Sequence, residues 1–132
     1  MNLAGDYVTK NREEFERLKN DMLCIRAMSE FYAAKARAAI LVLRYKFSKD
    51  ATDMKKALVF LKESIEHYRT LTDLTAETYQ FANSLQTGIR KIPFTSSNGR
   101  YKHWTECIGM YEKELKDFQQ EMESSIFSET KD

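Results

Sequence analysis

Apolar residues return at alternating intervals of three and four along most of this chain, which is the period of a helix with one covered face. In the first third the series reads Phe15, Leu18, Met22, Ile25, Ser29, Tyr32, Ala36, Ala39 and Leu43. It predicts a helix about eight turns long with a seam like that of a coiled coil. Asn11 precedes it, with Glu14 three residues on, which is the spacing of a capping box with Asn in the cap position. Residues 33–47 are apolar nearly all round, so more than one neighbour is expected to cover them. The helix should stop near Ser48, Lys49 and Asp50, where short polar side chains compete for the backbone.

A second series runs Met54, Leu58, Leu61, Ile65, Tyr68, Leu71 or Thr72, Thr75, Tyr79 and Ala82. Asp50 or Thr52 is placed to cap it, and Gly88 to end it as a residue free to take positive φ. Two helices of similar length joined by a short polar turn predict an antiparallel hairpin. Residues 89–101 hold the only Pro, Pro93, and the turn dipeptide Asn98-Gly99, so they read as a loop. Trp104, Ile108, Tyr111, Leu115, Phe118 and Met122 then mark one face of a shorter third helix. The expected architecture is all-α: a three-helix, up-down bundle with helices at about 11–48, 52–87 and 102–123. A flexible lead over 1–10 and a frayed tail over 124–132 complete it. A repeat-like stretch across residues 33–68 has no second copy, so a solenoid is not indicated.

Composition narrows the function classes. The 132 residues carry a net charge of +1 with 42% hydrophobic residues, unlike a disordered polyelectrolyte or a strongly basic nucleic-acid binder. The longest apolar run, residues 38–43, is far short of a membrane span. No signal-peptide pattern opens the sequence, which fits either a cytoplasmic protein or an internal piece of a larger secreted chain. Cys24 and Cys107 are too few for a disulfide framework or a zinc site; they read as small buried hydrophobes, with one inter-helix disulfide as the alternative.

Candidate chemistry is sparse. Glu63 and His67 lie one turn apart, but no second pair answers them, so no metal is expected. His103 precedes Cys107 by one turn, yet no orienting acid or oxyanion loop accompanies them. No catalytic residue, cofactor or metal ligand is therefore assigned.

One asymmetry stands out between residues 78 and 105. That window contains no acid, whereas Arg90, Lys91, Arg100, Lys102 and His103 alternate with aromatic residues. A docking loop made of Arg90, Lys91, Ile92, Phe94, Arg100, Tyr101, Lys102 and Trp104 is one reading. The other is that the aromatics plug the end of the bundle while the basic groups meet helix carbonyls or the acid-rich residues 106–132.

Residues 79–93 (YQFANSLQTGIRKIP), 102–106 (KHWTE) and 111–118 (YEKELKDF) together resemble the C-terminal helical region of large secreted bacterial proteins of glycoside-hydrolase type. Residues 15–22 (FERLKNDM) are similar to the region preceding it. The resemblance implies a non-catalytic accessory domain of a polysaccharide-degrading enzyme, with the catalytic carboxylates in another domain. Its partners would be upstream domains of the parent protein, and its location periplasmic or extracellular. A free-standing helical interaction module, self-associating through the long seam, is the alternative; no nucleic acid or membrane is implied by either.

Overall fold

The computed structural model describes residue 5, residues 7–85 and residues 92–129. Among them three helices run down, up and down: α1 (Arg12–Ser48), α2 (Ala51–Thr75) and α3 (Trp104–Glu129). Among the described residues the fold is all-α, a three-helix up-down bundle without strands. Of the expected lead over 1–10, residues 1–4 and 6 lie outside the described residues, as do Gly88, Arg90 and Lys91.

The turn between α1 and α2 forms as its residues dictate. Lys49 takes φ 55°, and its N–H bonds the Tyr45 carbonyl. The Asp50 carboxylate then accepts the Thr52 N–H at 2.9 Å and caps α2. Asn11 does precede α1, but at φ 53° and without a side-chain cap bond, so the capping box expected there is not made.

Across the hairpin's closed end, Arg44 forks onto the buried Asp53 carboxylate, with Nε donating to Oδ2 at 2.7 Å and Nη2 donating to Oδ1. The guanidinium holds this carboxyl below the ordinary carboxylate range, chiefly through that hydrogen bond. A depressed folded-state pKa contributes stability above the unfolded carboxylate pKa, and the contribution disappears as pH falls through the folded value. Arg44→Ala is therefore expected to melt below the parent chain at pH 7. The gap should close as pH drops below about 4, measured by thermal unfolding across a pH series.

Two of the expected boundaries move. The stripe through Ala82 predicted helix to residue 87, yet α2 ends at Thr75. No Gly or Pro forces this. Thr75 turns its hydroxyl back onto the carbonyls of Leu71 and Thr72, and Thr78 does the same to Leu74. Beyond them the backbone finds other partners: Ala82 N–H donates to the Lys102 carbonyl at 2.7 Å, Phe94 N–H to Ala82 at 2.9 Å, and Lys102 N–H to Phe94 at 2.8 Å. Isolated antiparallel bridges pair Asn83 with Pro93 and Thr95 with Tyr101, so the expected loop is partly extended. At the other end α3 continues through Glu129, where fraying had been expected from 124. No Gly or Pro occurs in it after Gly109, and Ser124 and Ser125 return their hydroxyls to the Glu121 carbonyl.

The core joins all three helices. Cys24, Ala27, Met28 and Phe31 of α1 meet Tyr68 and Leu71 of α2, with Ala82, Trp104 and Cys107 closing one end. Phe31 is enclosed edge-on by Tyr68 at 4.9 Å and Tyr111 at 4.8 Å between ring centroids. Small residues at Ala34, Ala38 and Ala57 are fully buried and leave room for close helix approach.

The seam of α1 is therefore one face away from the one the periodicity suggested. Leu18, Met22, Ile25, Ser29, Tyr32, Ala36, Ala39 and Leu43 are all exposed, and Phe15 alone is half-buried. Leu43, 55% exposed, should accordingly tolerate alanine within about 0.5 kcal/mol. A chemical-denaturation midpoint lowered as much as that of a core truncation would contradict this placement.

Candidate interaction surface

The acidic and basic loop residues come together around the start of α3. His103 N–H donates to the Glu106 carboxylate at 2.7 Å, while the Thr105 N–H donates to His103 Nδ1 at 3.1 Å. This is a capping box with histidine as the cap. With Nδ1 accepting, Nε2 is the protonated nitrogen and donates to the Tyr79 carbonyl at 3.1 Å. Arg100 adds Nη2 to the same Glu106 carboxylate at 2.6 Å and, with the His103 N–H, holds it below its ordinary pKa.

The eight docking-loop candidates separate into three groups. Trp104 is fully buried, edge-on to Tyr79 at 5.3 Å, and Phe94 packs against the same core. These two plug the bundle end. Ile92 and Tyr101 are 64% and 53% exposed, with Tyr101 lying against Phe81 at 4.8 Å. Arg100 is exposed beside Glu106, and Lys102 is half-buried with its backbone in the ladder. Arg90 and Lys91 lie outside the described residues.

The other candidates are accounted for by local partners. His67 sits between Glu30, 3.2 Å from Nδ1, and Glu63, 3.6 Å from Nε2; Glu30 also accepts from Arg26 at 2.9 Å. That third residue, brought in from α1, is invisible to a reading of α2 alone. No group of three or more His, Cys, Asp or Glu side chains suited to a metal ion occurs among the described residues. Cys24 and Cys107 are both free and buried. Burial, reinforced by the Asp21 charge, pushes the Cys24 thiol up to about 11, which disfavours its nucleophilic thiolate. Native protein is expected to leave Cys24 unlabelled by a thiol reagent at pH 8, with labelling appearing only on unfolding.

A cleft between α1 and the end of α2 is lined by Glu13, Glu16, Arg17, Asn20, Asp21, Thr78 and Tyr79. Its carboxylates are engaged: Glu13 with Arg17 at 3.7 Å, Glu16 with Lys19 at 3.8 Å, and Asp21 accepting from the Tyr79 hydroxyl at 2.6 Å. Of these, the Asp21 bond ties α1 to the segment after α2.

The outer face of α1 carries an exposed apolar row, in which Tyr32 lies edge-on to Phe31 at 5.0 Å. Leu18, Met22, Ile25, Tyr32, Leu43 and Phe47 are each about half or more exposed, with Ile40 beside them at 64%. No helix among those described is long and apolar enough to cross a membrane.

No family model and no curated protein matches the sequence. Among solved structures, a GH138 enzyme targeting pectin rhamnogalacturonan II shares 39% identity with it at a TM-score of 0.76. The match covers 91% of this chain and 17% of that one. The chain is thus homologous to part of a larger carbohydrate-active enzyme and corresponds to a helical domain of it rather than to the whole.

Proposed function

We propose that this chain works as a non-catalytic helical domain of a larger GH138-like carbohydrate-active enzyme, packing against the parts of that enzyme that carry the chemistry. The observation that supports this most is the extent of the match, which takes in nearly all of this chain and about a sixth of the related enzyme. Acids such as Glu13, Glu66 and Asp117, paired with basic neighbours along single helix faces, suit a buttress better than a hydrolytic centre. The pectin target of the related enzyme supports a location outside the cytoplasm, in the periplasm or beyond it. Ile92, Tyr101 and Arg100 would contribute a minor contact from the loop, together with Arg90, Lys91 and Lys102.

Incubating the purified chain with rhamnogalacturonan II should release no reducing ends. Release that is abolished by changing a single carboxylate, such as Asp21→Asn, would replace this reading with a catalytic one. Tyr101→Ala should leave the melting temperature of the isolated chain within about 2 °C, since the ring is half exposed and outside the core.

A further inference from the structure

The outer face of α1 is an apolar strip that the bundle does not use. Met22, Ile25, Ser29, Tyr32, Ala36, Ala39, Leu43 and Phe47 form an uncharged exposed row between the exposed Arg26, Arg37, Arg44 and Lys46, over a distance of roughly 38 Å at 1.5 Å per residue. Six or seven large side chains there, at on the order of 100 Å² each, exceed the roughly 300–600 Å² patch of an ordinary monomer. Water is a poor environment for such a strip, and its size falls within the 600–1,500 Å² typical of contacts between domains.

We propose that this strip is the surface by which the domain packs against a neighbouring region of the larger GH138-like polypeptide, and that the receiving surface is apolar with an acidic rim. The inference rests on the domain reading above. Two observations choose that occupant over a second copy of the chain. First, the related enzyme devotes 83% of its length to other regions, so there is chain within the same polypeptide to cover the strip (100% less the 17% matched). Second, of the charges flanking the strip between residues 22 and 48, Arg26, Lys35 and Arg44 are paired within the bundle with Glu30, Glu114 and Asp53, which leaves the basic Arg37 and Lys46. Two copies would bring these basic edges together, whereas self-pairing seams ordinarily carry opposite charges on their flanks.

Met22 lies on the strip at 57% exposure, Met110 lies on α3 at 59%, and Met28 is buried at 7%, so the molecule carries its own probes. The experiment replaces the matching region of the GH138 homologue with this chain and follows methionine oxidation by mild peroxide, using mass spectrometry. In the isolated chain Met22 and Met110 should oxidise readily and Met28 slowly. In the chimera Met22 should slow by about tenfold or more, to the rate of a covered side chain.

Equal Met22 rates in a folded chimera and in the isolated chain would overturn the assignment while leaving the domain reading intact. Protection of Met110 without Met22 would overturn it too, by moving the contact to α3. A chimera in which the wild-type chain fails to assemble at all would instead overturn the domain reading, and this inference with it. The paired change Ile25→Asp with Leu43→Asp gives an independent check. The isolated variant should keep its helix content and melting temperature, and the chimera carrying it should regain rapid Met22 oxidation. Unfolding of the isolated variant would show that the strip belongs to the bundle's own core. Met22 protection that grows with concentration in the isolated chain, alongside a dimer in sedimentation, would assign the strip to a second copy.

Discussion

Replacing Phe31 by alanine is expected to cost ~3–5 kcal/mol, the largest loss available to a single truncation in this bundle. The side chain is fully buried at the one point where all three helices meet. Its ring contacts Tyr68 of α2 and Tyr111 of α3 edge-on, so the cavity would open toward two large aromatic residues that cannot collapse into it without leaving their own partners. At the entropy of unfolding usual for a domain of this size, the melting temperature should fall by roughly 10–15 °C. The neighbouring Tyr32→Ala is the control, because that ring is 53% exposed and meets Phe31 edge-on at 5.0 Å from the solvent side. Similar midpoints for the two variants would mean that α1 is rotated from the orientation described.

Trp104→Ala should be comparably severe, at ~3–5 kcal/mol, but different in kind. Trp104 is fully buried at the end of the bundle, against Tyr79 and close to His103. It anchors the segment in which residues 82, 94 and 102 exchange backbone hydrogen bonds. Its loss should release that segment before the helices melt, giving early loss of amide protection at Ala82, Phe94 and Lys102 in hydrogen exchange. The indole Nε1 has no hydrogen-bond partner among the described residues. Trp104→Phe removes that buried donor along with some volume, so it should cost clearly less than the alanine change. Equal costs for the two would show that the indole nitrogen is not a burden to the fold.

These two residues also divide the loop's duties. The aromatic residues nearest α3 hold the bundle closed, and the ones facing away, Ile92 and Tyr101, remain open to contact. The basic character that suggested docking is partly answered locally, since Arg100 and the His103 N–H share the Glu106 carboxylate. The larger apolar surface lies on α1, where the periodicity had suggested core.

The spacing of apolar residues was enough to determine the fold class, the hairpin and the buried faces of α2 and α3. In those helices one series of apolar positions stands against a polar background, so burial has a single solution: Ile65, Tyr68 and Leu71 inward on α2, Trp104 and Cys107 on α3. The cap at Asp50 and the break at Lys49 were legible because they depend on neighbours in sequence. The inner face of α1 was not legible. Two three-four series interlace there, and the one with the larger side chains, through Leu18, Met22 and Leu43, looked like the seam. Tertiary packing selected the other, because Ala27, Ala34 and Ala38 let α2 approach closely and Phe31 fits between Tyr68 and Tyr111. The end of α2 was decided the same way. Nothing local stops a helix at Thr75 as firmly as a Gly or Pro would, but Ala82 gains burial and donates its N–H to the Lys102 carbonyl by leaving the helix. Periodicity reports which faces are apolar; which apolar face is buried depends on the shape of what packs against it.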